Sequence, residues 1–92
     1  MGHFALVTNN VVQYVICIDN NDMDNLPFPE SEPLGQAFIA ALPGYNTLTG
    51  TWVQCSFNAN FRGVYPGSGM LFDGTNFSFP PKPASPPVVV TE

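Results

Sequence analysis

Two apolar runs open the chain. His3–Val7 and Val11–Ile18 are rich in β-branched and aromatic residues and are separated by Thr8-Asn9-Asn10. Asparagine tolerates the left-handed backbone of a short hairpin loop, so this pattern predicts an N-terminal β-hairpin. In the second run Val12, Tyr14, Ile16 and Ile18 share one face, and Val11, Gln13, Val15 and Cys17 share the other. Both faces are mostly apolar, which predicts a strand covered on both sides, one of them by another subunit.

Further along, the period changes. Asp19–Pro33 reads as a loop, with Pro27, Pro29 and Pro33 breaking any regular element. Leu34, Ala37, Phe38, Ala41 and Leu42 recur at helical spacing, which predicts one short helix over residues 34–42. Ser31 is placed to cap its start and Gly44 lies past its end. Thr51–Phe57 predicts a third strand. Met70–Phe72 and Phe77–Phe79 predict a C-terminal hairpin around Asp73-Gly74. The last stretch carries half of the ten prolines and then Val88-Val89-Val90, a β-prone tip on an extended polyproline arm. The expected fold is therefore mainly β, with a small domain over 1–79 and a Pro-rich arm over 80–92. The arm's tip either pairs with a neighbouring sheet edge or is a frayed tail, two readings that the sequence leaves equal.

Composition sharpens the picture. Of 92 residues 45% are hydrophobic and only 10% charged, and Arg62 and Lys82 are the only two basic residues. An ordinary soluble domain carries about 25% charged residues. A chain this short has much surface for its volume and cannot hide so much apolar material alone. It is expected to pack against copies of itself or against a partner. A net charge of −5 excludes binding to a phosphate backbone, which needs clustered Lys and Arg. The longest apolar run is too short for a membrane helix, and no secretion signal opens the chain. Neither nucleic acid nor membrane is expected as a partner.

Candidate chemistry is sparse. His3 is the single histidine, and no spacing ties it to Ser56, Ser78, Cys17 or Cys55. Asn20, Asp22 and Asp24 match the first positions of a calcium loop, but Asn25 replaces its glycine and Ser31 its terminal glutamate. Two cysteines cannot build a zinc site, and they form a disulfide only if their strands are neighbours. These features predict no catalytic residues, no metal and no cofactor. The aromatic surplus points instead to an interface. Its candidates are Trp52, Phe61, Tyr65, Phe77, Phe79, Pro80, Pro81, Pro83, Val88, Val89 and Val90. The same rings would also suit glycan stacking.

Several segments carry a family likeness. These are Phe4-Ala5, Val7, Asn10, Val12, Val15-Ile16 and Asp19, then Gly50-Thr51-Trp52-Val53-Gln54-Cys55-Ser56-Phe57-Asn58. Arg62, Tyr65, Gly67, Gly69, Asp73 and Phe79-Pro80-Pro81-Lys82-Pro83 continue it. In that order they resemble a group of short virion structural proteins of tailed bacteriophages, including phages of cyanobacteria. Residues 20–49 follow no pattern of that group, and Val88-Val89-Val90 replaces the Trp-containing ending of its longer members. The resemblance implies a virion protein without catalytic residues. Its expected role is a capsid cement or decoration protein, a homotrimer that clamps major capsid subunits. A tail or baseplate accessory protein and a glycan-binding surface module are the alternatives.

Overall fold

Asn9 and Asn10 both adopt positive φ, at 52° and 65°, and close a two-residue hairpin between Thr8 and Val11. A turn of this hand matches the right-handed twist of the flanking strands. The hairpin joins β1 (Gly2–Thr8) to β2 (Val11–Ile18). In the computed structural model, which describes residues 2–45 and 47–80, this hairpin is the centre of a five-stranded antiparallel sheet. The strand order is β3-β1-β2-β4-β5, where β3 is Thr51–Cys55, β4 is Leu71–Phe72 and β5 is Phe77–Ser78. The fold is mainly β with a single short α-helix among the described residues. No described helix is long and apolar enough to cross a membrane.

Its position between β3 and β2 buries most of β1. Its side chains alternate between two separate cores. Phe4 and Leu6 pack with Ile18, Met23, Ile39 and Trp52 beneath the helix. Ala5 and Val7 pack with Val12, Val53, Cys55, Met70 and Phe77 on the opposite face. That second face is covered by the irregular segment between Ser56 and Met70, from which Tyr65 also packs inward.

One register step departs from simple alternation. Leu6 pairs with Tyr14 but Val7 pairs with Val12, so Gln13 is an extra residue in β2. Such a bulge moves Val12 to the other face from Tyr14, Ile16 and Ile18. Val12 thus joins the core with Val53 and Met70 instead of sharing the face of Ile18. The local partners of the bulge explain it. Val12 exchanges backbone hydrogen bonds with Gly69 and Met70, and the Ser68 hydroxyl donates to the Gln13 carbonyl at 2.8 Å.

The helix, α1, spans Ser31–Ala40 instead of residues 34–42. Ser31 is not its cap. The N-cap is Glu30, which makes no side-chain cap bond, while the Ser31 hydroxyl is buried and donates to Gln54 Oε1 at 2.7 Å. The acidic stretch before it is not wholly irregular, because Asn20–Met23 forms one 3-10 turn whose Met23 enters the core. Gly35 lets the helix sit directly on the Phe4 ring, where a Cβ would overlap the ring carbons. Strand β3 stops at Cys55, two residues short of the predicted end, and β4 and β5 each lose one terminal residue. Of the predicted arm only Pro80 is described; Pro81, Pro83, Val88, Val89 and Val90 lie outside the described residues.

Candidate functional site

A cluster around His3 is the first place where chemistry could reside. His3 sits on β1 opposite Cys17 of β2 and Cys55 of β3, so the two thiols lie on strands separated by β1. Two strand spacings amount to about 10 Å, beyond the Cα separation a disulfide can bridge. Both cysteines are free, Cys17 exposed and Cys55 buried. Burial pushes the Cys55 thiol up to about 12, with Cys17 adding to the shift. A thiol held in that state is a poor nucleophile. His3 stacks on Phe57 at 5.5 Å and meets the edge of Tyr65 at the same distance. Burial lowers its pKa, which favours the neutral ring. His3 makes no described hydrogen bond to Ser56, Ser78 or either cysteine, and the cluster is aromatic packing.

A second cluster surrounds Arg62. Its guanidinium gives Nη2 to both Glu32 oxygens, at 2.8 and 3.0 Å. Phe28 and Phe72 each face the guanidinium, at 5.3 and 5.5 Å, and Phe61 stacks flat on Phe28 at 3.8 Å. Glu32 Oε2 also accepts the backbone N–H of Gln54 at 2.8 Å. The Gln36 side chain donates to the Trp52 carbonyl. Helix α1 thereby occupies the outward hydrogen-bonding groups of β3, which is how an edge strand is kept from pairing with another chain. This cluster closes one side of the sheet. Among the described residues no three His, Cys, Asp or Glu side chains stand together as metal ligands, and Asn20, Asp22 and Asp24 lie along the 3-10 turn and its end.

The other side is different. β4 pairs with β2 only at Val11–Leu71. Beyond the bulge, β2 from Tyr14 to Ile18 has no strand on its outer side among the described residues. The parity of the ladder follows from β3, whose Trp52 carbonyl and Gln54 N–H point outward. Register then turns the N–H and C=O groups of Val15 and Cys17 away from β1. Beside this edge, on the helix side, lies an open groove of about 290 Å³ lined by Ile16, Ile18, Phe38, Leu42 and Tyr45 and by the acidic residues Asp19 and Asp22.

The sequence-derived interface residues divide three ways. Trp52 and Phe77, at 8% and 3% exposure, belong to the chain's own core and are not available to a partner. Burial of Trp52 is completed by the edges of Tyr14 and Tyr45. Tyr65 and Phe61 are half-buried, in the His3 and Arg62 clusters. Phe79 is 71% exposed and Pro80 follows it on the surface. Phe57, at 66% exposure, and the outer edge of β2 were not among those candidates. Phe57 falls within the strand predicted over Thr51–Phe57, which stops at Cys55. The β2 edge had a visible signal in its two apolar faces. No family model, no curated protein and no solved structure matches the chain.

Proposed function

We propose that this chain is a structural subunit of a tailed-phage particle, most specifically a capsid cement protein that self-associates and holds neighbouring capsid subunits together. One observation carries the assembly part: large apolar groups stay on the surface after the chain has folded. Phe57 and Phe79 project from it, and the Tyr14–Ile18 edge lacks a strand partner among the described residues. With so few charges to solvate that surface, burial against other chains is its favourable state, at roughly 25 cal/mol per Å² before association costs. The phage part is supported by the ordered resemblance running from Phe4 through Gly50–Asn58 to Pro83. The preference for a trimer on the head comes from analogy with other decoration proteins.

Mass spectrometry of purified particles, with heads and tails separated, tests the reading. The chain is expected with the heads, in an amount that scales with the major capsid protein. Deleting Pro80–Glu92 is expected to release it. Recovery with tails alone transfers it to the tail or baseplate, and absence from particles rejects a virion role.

A further inference from the structure

We infer that the outer edge of β2, Tyr14–Ile18, is a docking site for the Val88-Val89-Val90 segment of a second copy of this chain, added as an extra strand. The inference rests on the self-assembling reading above and names its contact.

The edge offers what strand addition needs. Val15 and Cys17 present outward backbone groups, no charged side chain lies between Tyr14 and Ile18, and the groove beside them offers the apolar side chains of Ile16, Ile18, Phe38, Leu42 and Tyr45 together with Asp19 and Asp22. Main-chain bonds supply affinity in such a contact, and alternate side chains fill the pocket beside it. Val88 and Val90 would enter the groove next to Ile16 and Phe38, and Val89 would lie on the opposite face with Cys17. The occupant fits by composition. Three consecutive valines have high β propensity, and no proline follows Pro87, so the N–H groups of Val88–Val90 are free to pair.

Direction and length favour a second copy over the chain's own arm. Val11 pairs with Leu71 and Leu71 with Ser78, so Ser78 is level with Val11 and β5 runs parallel to β2. The chain thus heads toward the Ile18 end of the edge at β5. From Val11 to Ile18 is about 23 Å of strand. From Ser78 to Val88, an extended proline-rich run covers about 31 Å. An arm extended in that direction would carry the three valines past their own edge, about two strand spacings to one side, and the five prolines from Pro80 to Pro87 disfavour a tight return.

Cross-linking to the native Cys17 thiol tests this in the full-length chain. A tagged chain with native Cys17 is mixed with an untagged chain carrying Cys17→Ser and Val89→Cys, and both are exposed to oxidised glutathione. The expected product is a mixed disulfide joining tagged to untagged chains, with much less from Val88→Cys or Val90→Cys. A chain holding both Cys17 and Val89→Cys that closes on itself instead shows that the edge takes its own arm and overturns the inference. Sedimentation of Val89→Lys gives a second readout, since it places a charge in the segment proposed to dock. Loss of the multimer is expected. A multimer that persists without the cross-link leaves self-assembly standing and rejects this contact. A wild-type chain that is monomeric throughout rejects both.

Discussion

Glu32 does two jobs at once. It holds Arg62 through both carboxylate oxygens and accepts the Gln54 N–H from the edge of β3. Both side chains of the pair are mostly buried, at 17% and 18% exposure, and Arg62 Nε has no partner among the described residues. Removing the carboxylate charge leaves a guanidinium with little water and a weakened acceptor. Glu32→Gln is therefore expected to cost about 2–3 kcal/mol in urea unfolding, while Gln13→Glu, on an exposed side chain, is expected to cost little. The cysteines give a second residue-scale prediction. Maleimide is expected to label Cys17 in the folded protein and Cys55 only after denaturant, as read by mass, because Cys55 is buried and its thiol stays protonated. His3 gives a third. Its pKa is lowered from 6.5 by burial, so the unfolded chain takes up a proton first as pH falls. Stability is expected to decline as pH drops below about 6.5 and to level off below the folded pKa, and His3→Gln is expected to flatten that decline.

At the scale of elements, the helix covers an edge as well as a core. Side chains from Glu32 and Gln36 occupy β3 backbone groups that would otherwise pair with another chain. Its seat depends on Gly35. An added Cβ meets the buried Phe4 ring, and overpacking of that kind costs about 1–3 kcal/mol. That exceeds the gain of up to about 1 kcal/mol that alanine brings to a helix. Gly35→Ala is thus expected to lower the unfolding midpoint, although it raises helix propensity.

Elements with local causes could be read from sequence. Asn9-Asn10 carries its turn chemistry in its own side chains. At Asp73 the carboxylate accepts the N–H groups of Thr75 and Asn76, which closes the second hairpin. Features with distant causes could not be read. The true partner of Ser31 is Gln54, and the bulge at Gln13 is held by Ser68 and Met70. Trp52 and Phe77 read as interface residues in sequence because nothing local reveals that the sheet carries a core on each face.

Across the whole molecule, the two flanks of the sheet contrast. One is closed by α1, Glu32 and Gln36, and the other presents Tyr14–Ile18 of β2, where Val15 and Cys17 turn their backbone groups outward. An open apolar edge is a liability in a monomer and an asset in an assembly. Ten per cent charged residues provide little of the charge that usually keeps such edges apart. Phe57 and Phe79 extend the same imbalance beyond the edge.

Sedimentation velocity of the full-length wild-type chain over a wide concentration range tests self-association most directly. The account predicts a defined multimer of the 10.0 kDa chain, persisting on dilution into the low micromolar range. A single monomeric species at every concentration, stable and soluble with its apolar surface bare, would contradict it.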